Sequence, residues 1–576
     1  TQGKHGMKFG VDYLWEPQLG GYFEFNSTLA LEFQDLPSTI LNNTTLYPAG
    51  FNTPGAVTSM SISLGDPNED LPGGGKMLGL YFQDTWKTSR RLTLDLGVRY
   101  DRDFNLMASN TQGKSRTFLL LQAITSPFAG IPQDYKKGFS PRVGFAYDVG
   151  GNSNNVLRGG YGLYIDQTFL NIPLFMIQQA RPTIFATIFS LSGTDVVPGT
   201  SIPLSSYRLG IDPLPTIPPP ATSFADLVQC PGPCSHPVGR LMAPDYRNPY
   251  SQEWNVGFAH SFNANTVAEI EYVHELGLHE EKRAFLNYIN QTDNPASPCT
   301  ATSCSGGVRV LSSALAAAGQ PQIGRVSMET SWGRSRYDGM NVSLRRRMAN
   351  RFSINTTYTL SKGLAYNGNA ASYSNAITDP RFPLLPTDFG PVPNDERHHL
   401  SVSGVVDLPW GFQIAPIMQV ASARPYNATT GVSNVLGFGS GPAAAHAIVP
   451  TSDPSNIFFG LTQTTAQLRN CYLVTLTCKQ AGFNFLRGQP FFDMDMRVTK
   501  LIKFGERSNL KLIFQTFDLT NRANYGNNYD GNVRNSLASN GSTFGTPLGY
   551  IGCNANGCNR TIPISFRAEF GGQFTF

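Results

Sequence analysis

The chain has 576 residues, a net charge of +4 and only 15% charged residues. So small an excess of positive charge does not support nucleic-acid binding. No run of about 18 uncharged apolar residues is present, which argues against a membrane-spanning helix. The 57 glycines, 38 phenylalanines and 23 tyrosines favour an all-β fold, either a membrane barrel or a large secreted β protein.

Apolar and polar residues alternate with a period of two along much of the chain, and this is typical of strands. In 92–101, for example, Leu94, Leu96 and Val98 alternate with Asp95 and Gly97. The pattern predicts 15 strands: 4–15, 21–33, 76–86, 91–103, 139–149, 155–168, 250–260, 266–278, 336–348, 352–363, 396–408, 412–423, 490–503, 509–522 and 563–576. Most have ten or more residues, the length that a tilted strand needs to cross a bilayer.

The connections between these strands alternate between short and long. Short turns lie at 87–90, 150–154, 261–266, 349–351, 409–411 and 504–508, and the long loops include 104–138, 169–249, 279–335 and 424–489. Up-and-down membrane barrels have short periplasmic turns and long outer loops. The alternation therefore predicts one transmembrane antiparallel barrel domain over 1–576, with its C-terminus periplasmic and its long loops extracellular. Bacterial barrels have even strand numbers, so a further strand near Arg325–Trp332 is one explanation of the odd count.

Eight cysteines form four close pairs, and every pair falls in a long loop. The pairs are Cys230/Cys234, Cys299/Cys304, Cys471/Cys478 and Cys553/Cys558. Even numbers in local pairs favour disulfide-closed loops in an oxidising compartment, although two nearby cysteines are also a zinc half-site.

The sequence contains no convincing catalytic constellation. His398 and His399 are adjacent, but neighbouring strand residues point to opposite faces, so a shared metal site is not expected. We therefore expect a protein that is not an enzyme, with no cofactor, no metal site and no catalytic residues.

Several stretches in fixed order resemble the Oar-like branch of the TonB-dependent outer-membrane receptors. They are YFQDTW (81–86), LTLDLGVRYD (92–101), SPRVGFAY (140–147), LRGGYGLY (157–164), YTLSK (358–362), DERHH (395–399) and FDLTNRANY (517–525). The ending is similar to the signal that the barrel-assembly machinery reads, with Glu569, Gly571, Phe574 and Phe576 in the matching positions.

The resemblance implies energised uptake of a large or scarce substrate, such as an oligosaccharide, a peptide or a metal chelate. It implies 22 strands around a plug, and a TonB-type partner that acts through that plug. The expected partners are outer-membrane lipid, the assembly machinery, the TonB-type protein, and an N-terminal portion or a second chain that supplies the plug and the remaining strands, because open sheet edges are not viable in lipid. A structural or adhesive surface protein and a porin plugged by its loops are the alternatives.

Overall fold

The structure, a computed structural model, describes all residues except 1–2, 18, 23–28, 65–67, 72–73, 108, 168–185, 193–194, 216–238, 305, 367–377, 431–434, 439–445, 538–541, 552, 555–556 and 559–565. Its main feature is one antiparallel sheet of 14 consecutive strands that form the wall. In chain order they are β1 (His5–Glu16), β2 (Gly75–Lys87), β3 (Leu92–Phe104), β4 (Gly138–Asp148), β5 (Asn155–Ile165), β6 (Tyr250–Asn263), β7 (Thr266–Phe285), β8 (Val326–Ala349), β9 (Phe352–Tyr366), β10 (His398–Leu408), β11 (Phe412–Ala421), β12 (Phe491–Phe504), β13 (Ser508–Phe517) and β14 (Arg567–Thr575).

Every wall strand pairs with the next one along the chain, so the topology is up-and-down. Two short strands join the same sheet, Gly239–Met242 parallel to β8 and Phe389–Pro391 antiparallel to β9. Within the described residues, β1 and β14 each pair on one side only. The prediction of an all-β, antiparallel, up-and-down wall is confirmed, and 14 of the 15 predicted strands are wall strands.

The predicted strand 21–33 is wrong. Among the described residues of that segment, which exclude 23–28, Leu19–Tyr22 and Ala30–Phe33 are strands, and each belongs to a small sheet separate from the wall. Leu31 and Phe33 instead pack against a buried cluster outside the wall, which is formed by residues within 57–60 and 191–207. The extra strand suggested near Arg325–Trp332 is also wrong, because that segment is the first part of β8 and pairs with the end of β7.

The connections between wall strands alternate between short and long, as the sequence predicts. The wall strands are joined by turns at 88–91, 149–154, 264–265, 350–351, 409–411 and 505–507, and by long connections over 17–74, 105–137, 166–249, 286–325, 367–397, 422–490 and 518–566. Short turns and long connections therefore lie at opposite ends of the wall. We call the described residues of the long connections, together with the strand extensions Glu280–Phe285 and Val326–Gly333, the loop layer.

The loop layer has its own small elements. Its further strands are Val57–Leu64, Asn68–Leu71, Ala186–Ser192, Ile289–Asn290, Val308–Arg309, Pro425–Tyr426, Ile448–Pro450, Cys478–Gln480, Leu486–Arg487, Cys553–Asn554 and Gly557–Cys558. Its α-helices are Pro37–Asn42, Ser109–Gln112, Arg116–Ala123, Ser312–Ala317 and Thr465–Arg469, followed by a π turn over Asn470–Val474. Short 3-10 turns are Gly50–Asn52, Leu204–Ser206, Pro386–Asp388, Pro409–Gly411 (in a short turn), Phe459–Leu461 and Val533–Leu537. No helix among the described residues has the length and apolar character to cross a membrane.

The buried apolar clusters lie in the loop layer, not in the wall. The largest described cluster contains Met107, Leu121, Leu241, Leu315 and Met328, which come from three long connections and the start of β8. The wall strands instead carry large apolar side chains that are exposed, among them Phe82, Trp254, Phe258, Val342 and Phe570. A sheet that exposes its apolar face in this way needs an apolar solvent against it.

Candidate functional site: the inner face of the wall and the loop layer

The register of the wall aligns apolar side chains into rows on one face. One row crosses nine strands through Tyr147, Leu157, Phe258, Ile270, Val342, Tyr358, Leu400, Val420 and Phe492, each opposite the next. A second row on the same face passes through Phe352, Val406, Ile414, Val498, Phe514 and Phe570. We call this the outer face. Because successive side chains in a strand point to opposite sides, the residues between them line the inner face.

The inner face is polar and ion-paired. Arg99 of β3 pairs with Asp12 of β1 at 3.0 Å and with Asp101 at 2.8 Å. Arg158 of β5 pairs with Glu269 of β7. Further along, Asn255 donates to Glu271 at 2.9 Å, and Thr359 donates to Asn341 at 2.8 Å. Apart from the pair Arg99–Asp101, which lies within β3, these contacts join side chains on neighbouring or nearby strands and so stabilise the sheet on its water- or protein-facing side.

Glycines on the inner face allow aromatic and cationic side chains to lie against the wall. A Cβ on Gly162 would come within 2.7 Å of the Tyr164 ring. The guanidinium of Arg142 stacks 4.5 Å from the centre of that ring. These residues line a cavity of about 660 Å³ that also contacts Glu253 and Glu271. The inner wall thus offers a concave surface with charges of both signs and an aromatic ring.

The loop layer contains a buried polar network. Asp379 accepts hydrogen bonds from Arg381 (Nε 3.0 Å, Nη2 2.8 Å) and from the Tyr472 hydroxyl at 2.9 Å. Gln480 donates to that hydroxyl at 3.2 Å and to Thr378, also at 3.2 Å. Burial raises the pKa of Tyr472. Because this network joins the connection 367–397 to the connection 422–490, it holds two loops in one arrangement.

The extensions of β7 and β8 carry buried charges above the wall. Lys282 is 1% exposed and donates to the Tyr366 carbonyl at 2.9 Å, and burial lowers its pKa to about 8. Glu329 accepts from Arg283 Nε at 2.8 Å, and burial raises its pKa to about 7. Buried charges need such partners. These residues were not predicted from the sequence, although the charge-dense run at 280–283, close after a predicted strand of membrane-spanning length, was a signal.

The predicted cysteine pairs have different outcomes. Disulfide bonds join Cys299 to Cys304 and Cys471 to Cys478. Cys553 and Cys558 are backbone partners in a small hairpin, and Cys230 and Cys234 lie outside the described residues. The two observed bridges lie close together, because Arg469 donates to the Cys304 carbonyl at 2.6 Å and Asn470 donates to the Cys299 carbonyl at 3.2 Å.

The remaining residues considered in the sequence analysis do not come together in one site. The described residues contain no cluster of three or more His, Cys, Asp or Glu side chains that could hold a metal ion. His398 contacts the Tyr358 hydroxyl at 2.7 Å, whereas His399 contacts Glu396 at 2.7 Å. At the C-terminal end, Glu569 faces Gln515 of β13, Gly571 faces Ile513 and Phe574 faces Leu510. Phe576 follows the strand and is exposed. Their role as an assembly signal stays a prediction.

The comparisons with known proteins agree with a membrane wall. A family model described as an outer membrane beta barrel domain matches residues 1–561. The chain belongs to this family of outer-membrane β-barrel domains. The family places it in the bacterial outer membrane, and the exposed apolar rows are then the lipid-facing surface. No curated protein sequence matches the chain.

The chain has low similarity to solved structures. The outer membrane transporter YddB from Escherichia coli is 12% identical with a TM-score of 0.42, covering 90% of this chain and 47% of that one. The ferric enterobactin receptor PfeA of Pseudomonas aeruginosa is 9% identical with a TM-score of 0.40, covering 90% and 50%. The FrpB iron transporter from Neisseria meningitidis is 8% identical with a TM-score of 0.38, covering 90% and 48%. This barrel domain spans about half the length of these structures.

Proposed function

We propose that this barrel domain forms part of the wall of a TonB-dependent outer-membrane receptor of the Oar-like type, which takes up a large or scarce substrate such as an oligosaccharide, a peptide or a metal chelate. The observation that carries the proposal is the inner face of the wall. It is polar and ion-paired, and it holds a cavity of about 660 Å³ bordered by Arg142, Glu253 and Glu271. An inner surface of this kind suits contact with water or with a protein domain.

We infer the orientation from the alternation of short turns and long connections. Short turns face the periplasm in outer-membrane barrels, so the short-turn end and the C-terminus would be periplasmic and the loop layer extracellular. The substrate would first meet the loop layer, and a plug inside the barrel would pass it inward. A TonB-type partner would act on that plug by strand addition to a partner sheet. Nothing in this mechanism requires a cofactor bound to the wall.

The sheet edges bear on how the barrel closes. Within the described residues β1 has no partner opposite β2, and its Phe9, Val11 and Tyr13 are exposed. Unpaired backbone groups at such an edge are costly in lipid. We propose that strands outside this chain, from an N-terminal portion or a second chain, pair with β1 and β14. The barrel-assembly machinery would insert the protein by reading Glu569, Gly571, Phe574 and Phe576.

The test compares cells that carry the full-length gene with cells that lack it, in a medium whose solutes are measured by mass spectrometry. We expect at least one solute to be depleted only by carrying cells, and only while the proton-motive force is intact. A protonophore added to the same cells is the control. If no solute differs, or if depletion continues without the proton-motive force, energised uptake is excluded.

The structure also favours a second candidate, a structural or adhesive surface protein. The described part of the loop layer has its own buried clusters and two neighbouring disulfide bonds, and a surface held in one arrangement in this way suits the binding of a partner. In the same comparison, this candidate predicts unchanged solutes together with altered attachment of cells to surfaces or to one another.

A further inference from the structure

The outer face of the wall carries cations beside aromatic rings at the short-turn end. The Arg346 guanidinium of β8 lies 4.3 Å from the centre of the Phe352 ring of β9. The Lys500 ammonium of β12 lies 4.3 Å from the centre of the Phe412 ring of β11. Each of the four residues is an even number of positions from a member of the apolar rows, so all four belong to the lipid-facing side.

Neither cation has a carboxylate partner in the described part of the chain. The two Nη atoms of Arg346 donate to the Thr266 hydroxyl at 3.1 Å and to the Ala349 carbonyl at 3.3 Å, while its buried Nε has no hydrogen-bond partner. Lys500 donates to the Trp410 carbonyl. These neutral contacts leave the positive charges uncompensated at the border of an apolar face. A charge in that place requires a counter-ion from the surroundings.

Trp410 lies at the same short-turn end of the wall and has a strained backbone. It occupies the turn between β10 and β11 with a φ of 62°, a left-handed conformation that bulky residues rarely adopt. Trp410 is 85% exposed. A turn that holds an exposed indole at this cost suits a residue placed at the membrane–water interface, where tryptophan is favoured.

We propose that the outer rim at the short-turn end binds the phosphates of anionic glycerophospholipids at two headgroup positions. Arg346 with Phe352 forms one position, and Lys500 with Phe412 and Trp410 forms the other. The positions are separate, because three strands lie between β8 and β12 and neighbouring strands are about 4.8 Å apart. In each, the cation meets the phosphate while the ring packs against the glycerol and upper acyl region. The choice of glycerophospholipid rests on the proposed periplasmic orientation of this end.

The experiment measures lipid retention on the full-length protein by native mass spectrometry after detergent exchange. The probes are phosphatidylglycerol, phosphatidylcholine and lipid A, each added in turn. The variants are Arg346→Gln and Lys500→Gln. Arg345→Gln is the matched control, because it removes the same charge one residue away on the inner face. Heat-modifiable gel mobility identifies the folded fraction of each variant, and only that fraction is compared.

We expect the wild type to retain phosphatidylglycerol in preference to phosphatidylcholine. Each rim variant should weaken that retention about fivefold, the effect of one cation near an anionic lipid surface, and the control should leave it unchanged. Equal loss in the control, or no loss in the rim variants, would overturn the proposal. A loss seen with lipid A but not with phosphatidylglycerol would overturn the assignment of a glycerophospholipid as the bound lipid. None of these outcomes depends on whether the protein transports a solute.

Discussion

The cost of introducing a charge into the apolar row distinguishes a lipid-facing wall from a sheet in water. Val342 of β8 lies opposite Ile270 and Tyr358 in the nine-strand row. It lies seven residues before the end of β8 at Ala349, and its partner Ile270 lies four residues after the start of β7 at Thr266. With a rise of about 3.4 Å per residue and a tilt of about 40°, these separations are about 10–18 Å along the membrane normal. That range brackets the middle of an apolar band about 25 Å tall.

We therefore expect Val342→Arg to cost about 2–4 kcal/mol of folding free energy in a bilayer, the cost of arginine at the midplane. This is about 30- to 900-fold in the folding equilibrium. Asn341→Arg is the matched control, because Asn341 lies on the inner face opposite Glu271. Its cost should be about 1 kcal/mol, for the lost hydrogen bond from Thr359. The assay is urea-dependent folding of the full-length protein in phospholipid vesicles, followed by gel mobility. Equal costs, or a larger cost at position 341, would refute the reasoning.

Three further predictions concern the loop layer, each measured by limited proteolysis of the folded protein. Asp379→Ala leaves the half-buried Arg381 without its carboxylate and should weaken the network by about 3 kcal/mol, the lower end of the cost of breaking a buried ion pair, whereas Asp453→Ala at an exposed site in the same layer should change cleavage little. Replacing Cys299 and the cysteine bonded to it by alanine should cost about 2 kcal/mol and also speed cleavage in the neighbouring 471–478 loop; unchanged cleavage there would show that the two bridges act separately. Burial raises the pKa of Glu329 from 4.5 to about 7, so stability linked to its protonation is fully present below about pH 4.5 and is lost as the pH rises through 7. Protease resistance should fall across that window, and Glu329→Gln should flatten the fall.

The wall was predictable from the sequence because its physics is local. A strand with lipid on one side and water on the other must alternate apolar and polar residues. This alternation is visible in the sequence whichever strand is its neighbour. The segment 21–33 shows the limit of this reasoning. Its apolar residues pack into a loop cluster, as Leu31 and Phe33 do, and a periodicity of two does not distinguish that cluster from lipid.

The loop layer was not predictable, because its contacts join residues far apart in the chain. Arg469 contacts the carbonyl of Cys304 across 165 residues, and Tyr472 contacts Asp379 across 93. Such contacts arise only when the wall brings the ends of distant strands side by side. The spacing of the cysteines correctly predicted the bridged loops at 299–304 and 471–478, but it gave no sign that these two loops would pack together.

Photolabelling with a phospholipid that carries a diazirine in its acyl chain, followed by peptide mass spectrometry, tests the orientation of the wall without any substitution. If the outer face contacts hydrocarbon, label should appear on Phe258, Ile270 and Val342 and not on the intervening inner residues Glu271 and Asn341. Label spread equally over both sets, or confined to the inner set, would contradict a sheet with hydrocarbon on one side and water or protein on the other.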